Sequence, residues 1–152
     1  MRVAVASDHA GFGIKQAVMD AIREAGHEPL DCGTQDGTTR VDFPDFAEKA
    51  GQAVQNGEAE RAVMICGSGV GVCITANKMK GIYASVCHDT YSAHQGVEHD
   101  NMNTLCLGGR IIGVELVKEI VPAFLAASYC GEDRFNRRIN KIKSIEQNGK
   151  IE

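Results

Sequence analysis

A cysteine directly in front of a glycine-rich loop is the feature of this sequence with the clearest chemical potential. Cys66 follows the apolar run 62–65 and precedes Gly67-Ser68-Gly69-Val70-Gly71. Glycines at alternate positions free the backbone to adopt unusual φ and ψ angles and expose amide N–H groups to a ligand. We expect a helix to begin within the loop, and its positive end favours the thiolate form of a nearby cysteine. The segment therefore predicts an anion hole of backbone amides beside a thiol that can take a proton.

Other interpretations of this segment fit less well. A dinucleotide-binding fingerprint needs an acidic residue about 20 positions further on, which Asp89 supplies, but the spacing here is GxGxG and the loop follows the third predicted strand. A P-loop needs Gly-Lys-Ser/Thr, which is missing. A tyrosine-phosphatase cradle needs an arginine that closes the loop after Cys66, and none is present. A buried cysteine with a purely structural role is the remaining alternative.

The loop belongs to a chain in which short apolar runs alternate with segments of helical periodicity, a rhythm typical of βαβ units. The runs AVMIC and TLCLG are apolar at every position, as expected for parallel strands covered by helices on both faces. The sequence predicts one α/β domain over residues 1–152, a three-layer α/β/α sandwich around a five-stranded parallel sheet. The predicted strands are 2–7, 28–32, 61–66, 82–87 and 104–108, and the predicted helices are 12–25, 43–56, 70–79, 89–100 and 113–127.

A last helix, predicted at about 132–147, has a narrow apolar stripe. Its apolar positions are Phe135, Ile139, Ile142 and Ile145, among many Arg, Lys and Asn residues. A stripe this narrow favours packing on a partner subunit rather than on the helix's own domain. The segment 33–42, GTQDGTTRVD, is predicted to be a surface loop that could act as a lid.

Parallel α/β sheets bind ligands beyond the carboxyl ends of their strands. The first strand delivers Asp8 and His9 to this edge, and the fifth delivers Arg110 after two glycines. His99 ends a predicted helix and is expected to reach the same edge; a favourable interaction with the helix dipole is the alternative role.

Two arginines of the last helix are candidates for binding an anion. Arg134 and Arg138 lie four residues apart, so they share one helix face and could bind one phosphate together. A solvated charged face is the alternative.

Composition excludes several other classes of protein. A net charge of −4 and a pI near 5.7 argue against nucleic acid as a partner. The first apolar run is too short for a signal peptide or a membrane span, so we expect a cytoplasmic protein with no membrane partner. The six cysteines show no CxxC spacing. A metal site built from Asp8, His9, Cys66 and His99 lacks ligands at a recognised spacing, so no metal is expected.

Taken together, these segments resemble the type B ribose-5-phosphate isomerases and the related galactose-6-phosphate isomerases. The resemblance covers essentially the whole chain and implies Rossmann-like subunits that form a homodimer, with a tetramer as the alternative. It also implies active sites at the subunit interface and no metal or organic cofactor. It rests on SDHAG at 7–11, DFPDF at 42–46, ICGSGVG at 65–71, ANK at 76–78, EHDNMN at 98–103, GGR at 108–110 and RFNRR at 134–138.

The resemblance also implies residue roles. Cys66 is similar to the general base that moves a proton between carbons 1 and 2 of an open-chain sugar phosphate, and the loop 67–71 to the anion hole for the enediolate. His99 is similar to the residue that opens the furanose ring, and Arg110, Arg134 and Arg138 to the phosphate ligands. The expected catalytic residues are Cys66, His99 and Ser68, and the expected substrate-binding residues are Asp8, His9, Gly67, Ser68, Gly69, Val70, Gly71, Asp100, Arg110, Arg134 and Arg138.

Some positions depart from the pattern of the family. Asp100 replaces the usual asparagine after the histidine, which puts a carboxylate where an amide normally hydrogen-bonds the sugar oxygens, and Phe43 replaces a tyrosine. Val72 stands where one branch of the family has a glutamate base, which leaves Cys66 as the expected base. The predicted reaction interconverts ribose 5-phosphate and ribulose 5-phosphate through an enediolate. The alternatives are isomerisation of a six-carbon or non-ribo pentose phosphate, and a sugar-phosphate-binding module without catalysis.

Overall fold

The computed structural model describes residues 1–151, and strands and helices alternate along them as predicted. The strands are β1 (Arg2–Ser7), β2 (Glu28–Asp31), β3 (Arg61–Cys66), β4 (Ala84–Val86) and β5 (Thr104–Gly108). The helices are α1 (Phe12–Glu24), α2 (Phe43–Gln55), α3 (Val70–Ala76), α4 (Thr90–Asp100), α5 (Val114–Ala126) and α6 (Asp133–Asn148).

Helix α3 ends three residues earlier than the periodicity predicts. The side chain of Asn77 donates to the carbonyl of Cys73 at 3.0 Å and to the carbonyl of Ala84 at 2.8 Å, and its Oδ1 accepts from the amide of Ala84 at 3.0 Å. One side chain therefore ends the helix and holds the chain that enters β4.

All strand pairs are parallel, and the strand order is β2-β1-β3-β5-β4. Alternate side chains of each central strand enter opposite layers. Val63 and Ile65 of β3 pack in the core shared with α1, α4 and α5, whereas Met64 and Cys66 pack in the core shared with α2 and α3. Every residue of β5 is buried. The predicted three-layer α/β/α sandwich is confirmed. Within the described part of the chain, no helix is long and apolar enough to cross a membrane.

Only the first half of the apolar stripe of α6 packs on its own chain. Phe135 and Ile139 are buried and α6 packs against α4, whereas Ile142 and Ile145 are 43% and 49% exposed. Phe135 and Ile139 therefore pack on their own chain, and packing of α6 on a partner subunit stays a prediction. The second half leaves apolar surface open.

Three loops approach one another closely at the carboxyl edge of the sheet. The amide of Gly109 donates to the carbonyl of Cys66 at 2.8 Å, and the amide of Arg110 donates to the carbonyl of Gly67 at 3.0 Å. A Cβ atom on Gly109 would lie 2.7 Å from the carbonyl oxygen of Ala10, closer than side chains approach backbone. The loops after β1, β3 and β5 are therefore packed backbone against backbone.

His88, just after β4, holds the end of β5 from the other side. Its Nε2 accepts a hydrogen bond from the amide of Gly108 at 2.9 Å, which requires the neutral imidazole. Burial lowers the pKa of His88 from its ordinary value, with the Asp89 carboxylate opposing that shift. The neutral histidine is therefore part of the folded structure.

We expect Gly109→Ala to lower the free energy of unfolding by about 1–3 kcal/mol, because the added methyl group must separate two backbones. The loss is measured by urea denaturation. Gly13→Ala, in the first turn of α1, is the matched control, since its Cβ would meet nothing within 4 Å. It should leave stability unchanged or raise it by up to about 1 kcal/mol. Equal destabilisation by both variants would contradict the close loop packing.

We also expect stability to fall as the pH drops below 6.5, the ordinary pKa of histidine. Because the pKa of His88 is lowered by folding, the unfolded chain binds its proton first, and acid in this window favours unfolding. Urea midpoints at about pH 7.5 and about pH 5.5 measure the loss. His88→Gln keeps an acceptor without a titrating group, so its midpoint should vary less over this range. An unchanged pH dependence in the variant would rule out this role.

Candidate active site

A cavity of about 470 Å³ opens at the carboxyl edge of the sheet, above β1, β3 and β5. It brings together many of the residues that the sequence predicts for catalysis or binding. We call these residues the carboxyl-edge cluster. They are Asp8, His9, Cys66, Gly67, Ser68, Gly71 and Arg110.

Cys66 is the last residue of β3, and its side chain borders the cavity while the residue is only 5% exposed. Its Sγ accepts a hydrogen bond from the amide of Gly69 at 3.2 Å. Gly69 has a φ of +80°, which glycine adopts without strain, and this turn folds the loop back over the sulfur. Val70, the next residue, begins α3 and donates its amide to Ser68 Oγ at 3.3 Å. The sulfur is thus held at the border of the cavity by a backbone donor.

Further amides of the loop are open to a ligand. Among residues 1–151, the amides of Gly67, Ser68 and Gly71 have no hydrogen-bond acceptor. The first amides of a helix lack partners within the helix, which accounts for Gly71. The ring of Phe43 lies against Gly71, where a Cβ atom would come within 2.8 Å of it, so Phe43 forms part of the cavity wall. The arrangement can stabilise a negative oxygen beside Cys66.

Asp8 and His9 hold fixed positions at the end of β1. One oxygen of the Asp8 carboxylate, Oδ1, accepts from the amides of Ala10 and Gly11, each at 2.9 Å. His9 Nδ1 accepts from the amide of Val41 at 3.2 Å, so the neutral ring carries its proton on Nε2. His9 can therefore donate a hydrogen bond to a ligand in the cavity.

The loop predicted over 33–42 borders a second cavity of about 620 Å³, which shares His9 and Arg110 with the first. The carboxylate of Asp36 accepts from the backbone amide of Thr38 at 2.8 Å and from the hydroxyl groups of Thr38 and Thr39. These hydrogen bonds hold the pKa of Asp36 well below its ordinary value. The surface loop is confirmed, and its action as a lid stays a prediction.

The remaining predicted site residues form a second group, which we call the α4–α6 cluster: His99, Asp100, Arg134 and Arg138. The ring of His99 stacks on Phe135, with 4.2 Å between the centroids and 15° between the planes. The guanidinium groups of Arg134 and Arg138 lie 4.5 and 5.8 Å from the centroid of the same ring. Sequence reasoning treated Phe135 only as part of an apolar stripe, although its place between the two arginines was a usable signal.

The two clusters lie at opposite edges of the sheet. Cys66 pairs with Gly108 at the carboxyl end of β5, whereas His99 lies in the last turn of α4, before β5 begins at Thr104. The strand itself spans about 13 Å between those ends, at about 3.3 Å per residue. The expectation that His99 reaches the carboxyl edge of its own chain is therefore wrong, because the helices of a parallel sheet run back against the strands. Arg134 and Arg138 lie beside His99 in the α4–α6 cluster, so they do not reach the carboxyl edge of their own chain either.

Among residues 1–151, no group of three or more His, Cys, Asp or Glu side chains is arranged so that it could hold a metal ion. The six cysteines are free thiols. The polar side chains that border the cavity at the carboxyl edge are those of Asp8, His9, Cys66, Ser68 and Arg110.

Known proteins resemble this chain over most of its length. The family model described as Ribose/Galactose Isomerase matches residues 3–142. Ribose-5-phosphate isomerase B of Escherichia coli is 41% identical over 146 residues, which cover 96% of this chain and 97% of that protein. D-erythrulose-4-phosphate isomerase of Pectobacterium atrosepticum is 36% identical over 131 residues, 86% of each chain. The solved structure of ribose-5-phosphate isomerase B from Clostridium thermocellum has a TM-score of 0.93 at 40% identity and covers 98% of this chain and 99% of that one. The chain therefore belongs to the ribose/galactose isomerase family and is an enzyme of the aldose-ketose isomerase class.

Proposed function

We propose that the enzyme interconverts ribose 5-phosphate and ribulose 5-phosphate, in active sites that each combine residues from the two chains of a homodimer. The observation that carries this proposal is the Cys66 thiol, which borders a cavity beside three backbone amides without acceptors. Removal of a carbon-bound proton next to a carbonyl needs a base and donors directed at the developing oxyanion. The carboxyl-edge cluster offers both.

In the isomerisation, Cys66 takes the proton from carbon 2 of the open-chain aldose. The electron pair of that bond moves to form the enediolate, and the negative charge collects on the oxygen of carbon 1, where the amides of Gly67, Ser68 and Gly71 stabilise it. Cys66 then returns the proton to carbon 1. The hydroxyl proton of oxygen 2 moves to oxygen 1, and we assign to the Ser68 hydroxyl, which borders the cavity, the hydrogen bonds to both oxygens during this transfer. Atoms and charge are conserved over the cycle.

His99 acts before this step, on the ring form of the sugar. Its Nε2–H donates a hydrogen bond to the ring oxygen and stabilises the negative charge that this oxygen gains as its bond to carbon 1 breaks. The anomeric hydroxyl releases one proton to solvent and the ring oxygen takes up one proton from solvent, so the step balances and His99 stays neutral. The open-chain aldehyde that results is the form from which Cys66 can remove a proton.

A second chain supplies His99, because each chain separates its two clusters by the length of β5. Apolar side chains that a lone chain leaves in water adjoin the carboxyl-edge cluster: Val70 and Ile74 are 51% and 58% exposed on α3, and Ile111 next to Arg110 is 61% exposed. The open half of the α6 stripe, Ile142 and Ile145, adds apolar surface. Exposed apolar surface of this kind marks an interface. Such an interface would bring one chain's α4–α6 cluster to the other's cavity.

The phosphate group is bound by arginines from both clusters. Arg110 borders the cavity, and the guanidinium groups of Arg134 and Arg138 both lie near the ring of Phe135. Arg134 Nε donates to the Glu132 carboxylate at 2.8 Å, which orients the guanidinium and leaves its terminal N–H groups for an anion. Together they would neutralise a dianionic phosphate.

A four-carbon sugar phosphate is the second candidate substrate. The relative from Pectobacterium atrosepticum is a D-erythrulose-4-phosphate isomerase, and its similarity extends over 86% of this chain. Asp100 and Phe43 depart from the pattern of the ribose 5-phosphate enzymes, and Phe43 borders the cavity. A shorter sugar would place its phosphate nearer to the reacting carbons.

We expect Cys66→Ala to lower turnover by about 10²–10⁴-fold, the usual contribution of a general base, while the sugar phosphate still binds. The reaction is followed by NMR in deuterated water with ribose 5-phosphate and a four-carbon aldose phosphate in parallel. Wild-type protein should form the ketose and place deuterium at the transferred carbon to the extent that Cys66 exchanges its proton with solvent.

Cys32→Ala is the matched control, because Cys32 is a free thiol beyond β2 that does not border the cavity. It should leave turnover unchanged. Full turnover in Cys66→Ala would remove Cys66 from the reaction, and turnover of the four-carbon substrate alone would reassign the substrate without changing the mechanism.

A further inference from the structure

A glutamine one helical turn before His99 contacts the imidazole and the neighbouring carboxylate together. Nε2 of Gln95 lies 3.0 Å from Nδ1 of His99 and 3.4 Å from Oδ2 of Asp100. All three residues lie on α4. Gln95 and His99 have the i, i+4 spacing that makes side chains neighbours on one helix face.

The carboxylate decides how the amide is oriented. An ionised Asp100 can only accept hydrogen bonds, so Gln95 must present its NH₂ group, and not its carbonyl oxygen, to Oδ2. The same nitrogen faces Nδ1 of His99, which must then accept. A neutral His99 therefore carries its proton on Nε2, on the opposite side of the ring.

The plane of the ring is fixed as well. His99 stacks on Phe135 with 15° between the planes, and Phe135 is itself buried. Gln95 thus selects the tautomer of His99 while Phe135 holds its orientation. The contact with Gln95 is partly buried, which protects it from competition with water.

We propose that Gln95 is a positioning residue for His99, held in its orientation by Asp100, so that His99 presents an N–H donor to the ring oxygen of the sugar. This inference rests on the proposed function, in which His99 opens the ring. It gives Asp100 a role that acts through Gln95, and it needs no contact between the Asp100 carboxylate and the substrate. Asp100 borders a cavity of about 330 Å³, so water can solvate its charge.

The test exchanges the donor for an acceptor. Gln95→Glu places a carboxylate opposite Nδ1, which then holds the proton itself, so the Nε2–H tautomer should be lost. The ¹⁵N chemical shifts of His99 in labelled protein report the tautomer directly, without any substrate. Turnover of ribose 5-phosphate should fall by about 10²–10⁴-fold, the range found when a catalytic histidine loses its acid–base role or its tautomer, and KM should change little.

Two further variants serve as a second test and as a control. Asp100→Asn removes the acceptor that orients Gln95, so both tautomers of His99 should appear. Gln52→Glu is the matched control, because Gln52 lies on α2 and donates in the same way to a carboxylate one turn earlier, Glu48, at 3.2 Å. It should leave the His99 signals and turnover unchanged. Since Gln95 borders the cavity of about 330 Å³, we expect its variants to fold. If Gln95→Glu does not fold, Gln95→Leu, which removes the hydrogen-bond donor, takes its place in the test.

The outcomes separate this inference from the proposed function. A wild-type His99 with its proton on Nδ1, or signals that Gln95→Glu and Gln95→Leu leave unchanged, would overturn the positioning role whatever the substrate. A reversed tautomer with full turnover would also overturn it, because the contact would then be structural only. Wild-type protein without activity on ribose 5-phosphate would refute the proposed function, while the NMR result would still decide the contact.

Discussion

The close backbone packing of three loops at the carboxyl edge of the sheet is the constraint on which the site depends. The hydrogen bonds from Gly109 to Cys66 and from Arg110 to Gly67 join the end of β5 to the end of β3. They occupy the carbonyl groups of Cys66 and Gly67, while the amides of Gly67, Ser68 and Gly71, residues that border the cavity, have no acceptor among residues 1–151. Because the glycines carry no Cβ, these backbones can meet. The thiol, the loop after β3 and Arg110 therefore lie together at one cavity.

The same topology that assembles this cluster keeps His99 away from it. A helix that follows a parallel strand must run back to the amino edge, so its last turn lies a strand length from Cys66. No side-chain rotation can cross that distance, since an imidazole reaches only a few ångströms from its backbone. An active site that uses both residues needs a second chain, and the exposed apolar residues of α3 and α6 provide surface for it. The proposed chemistry therefore requires an oligomer.

The central parts of the fold and of the site could be predicted because their signals are local. The uninterrupted apolar runs of β3 and β5 indicated buried parallel strands, and the glycine spacing after Cys66 indicated open amides. The position of His99 was misjudged because a residue just before a strand belongs to the amino edge, a fact of chain direction that the motif itself does not display. The half-buried stripe of α6 could not be predicted, since periodicity defines a face but not the surface that covers it.

The tautomer of His99 depends on atomic contacts that the spacing of residues in the sequence does not display. The i, i+4 spacing makes Gln95 and His99 neighbours on α4, but the direction of the amide follows only from the third partner, Asp100. In the proposed positioning of His99, Asp100, which departs from the family pattern, acts through Gln95 on its own helix.

The most direct test of a site shared between chains is complementation between two inactive variants. Cys66→Ala and His99→Ala are co-expressed with different tags, and the mixed dimers are compared with each variant alone. If each site takes Cys66 from one chain and His99 from the other, a mixed dimer holds one intact site, and a random mixture should recover about a quarter of wild-type turnover. Activity that stays at the level of the single variants would contradict the shared site and place both residues on one chain.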